Sequence, residues 1–118
     1  MTAYPFRNMD VISSLACINE AFDKFLSDAK DKLVVFDFFA TWCQPCKLIG
    51  PIFEKMSESD EYKDVVFAKI DVDENEETAE FVGIRAMPTF AFYKNGSKID
   101  EVSGAAEDRL RSKIQLHM

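Results

Sequence analysis

The sequence predicts a single α/β domain, residues 1–118, in which a central mixed β-sheet carries helices on both faces. Two nearly unbroken apolar runs of strand length, at 33–39 and 65–71, mark strands covered on both sides. Amphipathic stretches alternate with them, and Asn95-Gly96-Ser97 signals a hairpin near the end. Alternation of strand and helix implies parallel crossovers in the first half, to which the hairpin adds antiparallel strands. At 118 residues and 47% hydrophobic, with eleven Phe, the chain can bury a core that needs neither disulfides nor metal.

In order along the chain, Leu15, Ile18, Phe22, Phe25, Leu26 and Ala29 recur at steps of three and four, the stripe of a first helix with Ser13 or Ser14 available as N-cap. A short strand near residues 9–12 is an option before it. The run 33–39 is a central strand with one anomaly, Asp37. From Cys43 to about Ser57 the spacing of Ile49, Ile52, Phe53 and Met56 is helical, and Pro51 either kinks that helix or begins a new one. The run 65–71 is a second buried strand, interrupted by Lys69. Acidic residues 73–80 lead into a short helix ending at Gly83, strands at 89–94 and 98–103 flank the hairpin turn, and Ala106, Leu110 and Ile114 mark a last helix.

Twenty-one acidic residues against fourteen basic ones, a net charge of -7, repel phosphate backbones and anionic membrane surfaces. No apolar run in residues 1–10 resembles a signal-peptide core, and none elsewhere approaches a membrane span. Three cysteines in a domain that needs no staples point to reactive thiols in an intracellular protein. The expectation is a cytoplasmic monomer with neither nucleic-acid nor membrane partners.

Cys43-Gln44-Pro45-Cys46 directly follows the first buried strand and its loop. Pro45 suits a first helical turn, so Cys43 falls at a helix N-terminus, where free N–H groups and the helix dipole stabilise a thiolate, the nucleophilic form. Cys46, three residues on, shares that helix face and can close a disulfide with Cys43. As a structural staple this bond would contribute little, roughly 2 kcal/mol from chain entropy against about 4.7 for a 100-residue loop. A zinc site would need four ligands, and only Cys17 and His117 remain, so no metal is expected.

Asp37 and Lys69 are charges set in apolar strands, and burying an unpaired charge is costly. Either the two approach one another across neighbouring strands, or each reaches solvent from a strand end. Desolvation would make Asp37 a usable proton acceptor and donor, six residues before Cys43. Met87-Pro88-Thr89 precedes a strand, and its pattern does not fix whether the Pro88 bond is cis.

Asp37-Phe38-Phe39-Ala40-Thr41-Trp42-Cys43-Gln44-Pro45-Cys46-Lys47, with Pro51, Lys69, Met87-Pro88-Thr89 and Gly104, resembles the thioredoxin family over nearly the whole chain. The resemblance implies a thioredoxin-like fold and reduction of protein disulfides by dithiol exchange. It implies no bound cofactor beyond a redox-active disulfide, which a separate thioredoxin reductase, a flavin enzyme drawing on NADPH, recharges. By the same resemblance Cys43 attacks, Cys46 resolves, Asp37 is the buried acid/base with Lys69 as its partner, and Pro88 is a cis-proline facing the disulfide. Trp42, Gln44, Pro45, Val72, Gly83, Met87 and Gly104 would form the docking surface for protein substrates, with the Met87 backbone pairing with an extended segment. Gln44 stands where the family usually has Gly; being neutral, it does not stabilise a thiolate as a protonated His would. Ser103 is more polar than the family's frequent aliphatic residue. A binding module with an incidental dithiol, or an oxidase or isomerase of an oxidising compartment, are the readings that compete.

Overall fold

A computed structural model describes residues 10–12 and 18–118. The chain runs β1 (Asp10–Ile12), α1 (Ile18–Ala29), β2 (Val34–Phe39), α2 (Gln44–Ser57), a 3-10 turn (Asp60–Tyr62), β3 (Val66–Asp71), α3 (Glu76–Val82), β4 (Thr89–Lys94), β5 (Ser97–Ser103) and α4 (Glu107–His117). The expected order is present, including the short strand before α1. Ser13, Ser14, Leu15 and Cys17 lie outside the described residues.

Five strands form one sheet in the order β1-β3-β2-β4-β5. β1 and β2 flank β3 in parallel, and β4 and β5 continue antiparallel from β2, giving the mixed sheet. Alternation along β2 divides the core. Val34, Phe36 and Phe38 point to the layer containing Phe25, Leu26 and Ala29 of α1 and Ala79 and Val82 of α3. Val35 points to the layer of Ile49, Phe53 and Met56 of α2 and Leu110 and Ile114 of α4. β2, hydrogen-bonded on both edges and covered on both faces, is therefore almost wholly apolar.

Aromatic side chains fill both layers. Phe36 meets Phe25 at 5.6 Å and Tyr93 edge-on at 5.4 Å between ring centroids. On the opposite face Phe53 reaches Phe67 at 5.2 Å and Phe90 at 5.3 Å, seating α2 on the sheet.

α2 continues through Pro51 as one helix, so the alternative of a new start there does not hold. Pro51 lies on the exposed face and forfeits one backbone hydrogen bond, while Ile49, Phe53 and Met56 remain anchored on either side. Gly83 ends α3 in a left-handed conformation, φ 90°, and the Ile84 N–H turns back to the Ala79 carbonyl at 2.9 Å. Asn95 and Gly96, φ 54° and 80°, make the tight turn that joins β4 to β5. Among the described residues no helix is long and apolar enough to cross a membrane.

Because Phe53 is fully buried between Phe67 and Phe90, Phe53→Ala should lose about 3–5 kcal/mol of unfolding free energy. Urea denaturation followed by circular dichroism measures it, and a loss below about 1 kcal/mol would contradict this packing.

Candidate active site

β2 delivers the chain at its C-terminal end to Ala40, Thr41 and Trp42, and α2 begins at once. Cys43 is the N-cap, extended at φ -85° and ψ 114°, and its Sγ accepts the Cys46 N–H at 3.2 Å. Pro45 sits in the first turn, where a missing N–H breaks no helical bond. Cys43 and Cys46 are joined as a disulfide with Cα atoms 5.3 Å apart, each 5% exposed. The same N-terminal donors that now face the disulfide would face a Cys43 thiolate after reduction.

The Met87 carbonyl oxygen lies 3.6 Å from Cys43 Sγ, and the Met87–Pro88 peptide is cis, as the resemblance implied. Gly104, at φ 97°, donates its N–H to the Pro88 carbonyl at 2.9 Å and brings the chain after β5 against that segment. Trp42 is 64% exposed and is held by its Nε1–H, which donates to Asp73 Oδ2 at 2.8 Å. Gln44 and Pro45 are exposed. Val72 is largely covered, its N–H bound to the Phe39 carbonyl at 2.9 Å, and it shares a core layer with both cysteines and Met87. Gly83 enters only through Val82 and Ile84, its neighbours in that layer. Ser103 turns its hydroxyl toward Thr89 Oγ1 at 3.2 Å.

Asp37 is fully buried, and neither carboxyl oxygen has a hydrogen-bond partner among the described residues. β2 and β3 are neighbours and place Asp37 in direct register with Lys69, which meets the condition for the two to approach. The Lys69 ammonium nevertheless binds elsewhere: its Nζ donates to Glu54 Oε2 at 3.2 Å and lies 4.7 Å from the centre of the Phe39 ring. Lys69 is thus an electrostatic neighbour of Asp37 rather than its ion-pair partner, because its long stem carries the charge to the half-open edge where Glu54 waits. Burial pushes the Asp37 carboxyl up to about 7; Lys69 opposes this and Glu54 reinforces it. A cavity of about 340 Å³ brings Lys69 and Glu54 to Cys46, with Phe39, Lys47 and Gly50 also in its wall.

Comparison with known proteins identifies this arrangement. The thioredoxin family model matches residues 13–116. The chain belongs to the thioredoxin family. It is 57% identical over 97 residues to the thioredoxin of Ictalurus punctatus, covering 82% of this chain and 91% of that one. The crystal structure of Malassezia sympodialis thioredoxin superposes with a TM-score of 0.84 at 48% identity, over 99% of this chain and 96% of that one. Thioredoxin f2, in a crystal structure of its complex with ferredoxin:thioredoxin reductase, matches with a TM-score of 0.83 at 32% identity, over 93% of this chain and 94% of that one. Like other thioredoxins, the chain is a protein-disulfide oxidoreductase that works by dithiol–disulfide exchange, and Cys43–Cys46 is its redox disulfide.

Two residues of this thioredoxin site escaped the sequence. Asp73 lay in the acidic stretch leading into α3, and in the structure it accepts the indole N–H of Trp42. Glu54 went unnoticed, yet Cys46, Gly50 and Glu54 recur at steps of four on one face of α2, and all three line the cavity.

An Asp37 carboxyl shifted from 3.8 to about 7 makes folding pH-dependent. Between those values the folded chain holds a proton that the unfolded chain releases, so stability falls as pH rises and the penalty is complete above about 7. At pH 8 the penalty approaches 4 kcal/mol in order of magnitude. Asp37→Ala should therefore unfold at higher denaturant than the parent at pH 8, with the advantage disappearing near pH 4. Equal midpoints at pH 8 would contradict the buried, unsatisfied carboxylate.

Proposed function

We propose that this single-domain thioredoxin is a general reductase of protein disulfides in which Cys43 attacks, Cys46 resolves and Asp37 manages the proton of Cys46. The Cys43 thiolate would displace one sulfur of a substrate disulfide and form a mixed disulfide with the other. Cys46 then loses its proton to the Asp37 carboxylate, its sulfur attacks Cys43 Sγ, and the Cys43–substrate bond breaks. Two electrons pass from the dithiol to the substrate, which leaves as a dithiol while Cys43–Cys46 closes.

The N-cap position of Cys43 carries this division of labour. Its sulfur receives the Cys46 N–H, whereas Cys46 lies one turn into the helix, at the cavity shared with Lys69 and Glu54. Cis-Pro88, by its place after Met87, would hold the backbone against which an extended substrate segment aligns. Exposed Trp42, Gln44 and Pro45, with Val72, Gly83, Met87 and Gly104, would complete the docking surface, the polar Gln44 standing beside the attacking sulfur. Electrons for recharging would come from NADPH through a separate flavin-dependent thioredoxin reductase; a relative is known in complex with a reductase of the ferredoxin-linked type. A monomer working in the reducing cytoplasm fits the reading.

Cys46→Ser should accumulate mixed disulfides with insulin or a cell extract, and Cys43→Ser should not; trapping by Cys43→Ser instead would reverse the roles. Asp37→Asn should leave the first attack intact and slow resolution about 10–100-fold near pH 7. Stopped-flow tryptophan fluorescence separates the two steps, and an unchanged resolution rate from pH 6 to 8 would remove Asp37 from the mechanism. Insulin reduction coupled to NADPH and a thioredoxin reductase tests the activity as a whole.

A further inference from the structure

Lys69 lies within reach of two carboxylates and serves only one of them. Asp37 is its register neighbour on β2, while the ammonium sits 3.2 Å from Glu54 of α2. The ammonium passes beside Gly50 of α2, 3.6 Å from where a Cβ on that residue would stand, an ordinary contact distance. The Phe39 ring receives the ammonium from the strand side, at 4.7 Å. Glu54 is half exposed, whereas the Lys69 side chain keeps only 17% of its surface in water. The ion pair thus bridges α2 to β3 along the wall of the cavity that holds Cys46.

We propose that Glu54 is a positioning residue for Cys46 resolution: by anchoring the Lys69 ammonium at the cavity wall, it withholds that cation from Asp37 and keeps the buried carboxylate basic enough to take the Cys46 proton. This rests on Asp37 being the proton acceptor. The charges acting on Asp37 are Lys69 of β3 and Glu54 of α2; β4 pairs it with uncharged Phe90, α4 contributes uncharged Leu110 and Ile114 to the layer on that face of the sheet, and Lys47 and Cys46 of α2 line the cavity with Lys69 and Glu54. Burial raises the basicity of Asp37 most, and Lys69 and Glu54, acting on it with opposite signs, adjust it from there. Losing Glu54 removes one anion and releases one cation, and both changes lower the proton affinity of Asp37.

The test is a carbon-detected NMR titration of the Asp37 carboxyl in the reduced full chain, which needs no substrate. Glu54→Gln, at a half-exposed helix position, should reduce the proton affinity of Asp37 roughly tenfold. It should move the rising limb of the resolution rate to lower pH by the same amount. In a Lys69→Met background, Glu54→Gln should have less than half that effect, since the cation it positions is gone. An unmoved or raised Asp37 midpoint in Glu54→Gln overturns the proposal, as does an equal shift with and without Lys69. If the midpoint moves as expected while Asp37→Asn resolves normally, the proton-acceptor reading fails and the control of Asp37 by Glu54 stands.

Discussion

β2 has a strand on each edge and a helical layer on each face, and this double enclosure governs what the rest of the chain can do. From Val34 to Phe38 its side chains are closed off from water, so each residue there is either apolar or a lasting electrostatic cost. At its C-terminal end the enclosure stops abruptly, and the next regular element is the N-terminus of a helix with free N–H groups. The redox pair sits at that transition, anchored in the core yet able to meet a partner. A nucleophile on a mobile loop would gain reach and lose the fixed donors that make its sulfur reactive.

Asp37 is the exception within the enclosure. Its carboxyl has no hydrogen bond among the described residues, and the cation in register with it is bound to Glu54. A satisfied ion pair at this position would stabilise the fold and leave the carboxylate too weak a base for a thiol proton. The unsatisfied group lowers stability above neutral pH and retains the capacity to exchange a proton there. Stability and proton chemistry are set against each other at one side chain.

Much of this was legible in the sequence because it was local. The apolar runs around Phe36 and Phe67, the i, i+3 and i, i+4 stripe of α1 and Asn95-Gly96 fix elements by their own periodicity and turn chemistry. Cys43 and Cys46 announced themselves by spacing, and the strand before them placed them on a helix N-terminus. Relations between distant segments were hidden. Nothing in the sequence chooses Glu54 over Asp37 as the anion that holds Lys69, because that choice depends on the course of a flexible stem past Gly50 and over Phe39. Asp73 likewise acquires meaning only when the turn after β3 carries it to Trp42. The continuity of α2 through Pro51 was open for a related reason: local propensity disfavours it, and packing of Phe53 and Met56 on the sheet decides it.

β5 ends the sheet with an edge on which charged side chains flank an exposed Ile99. Lys98 pairs with Glu101, and Asp100 is bound by Lys113 at 2.8 Å with His117 at the same distance. A bare strand edge offers unpaired backbone groups to the edge of another copy. These fixed charges, tied partly to α4, make strand addition at β5 costly because an incoming chain would have to desolvate or displace them.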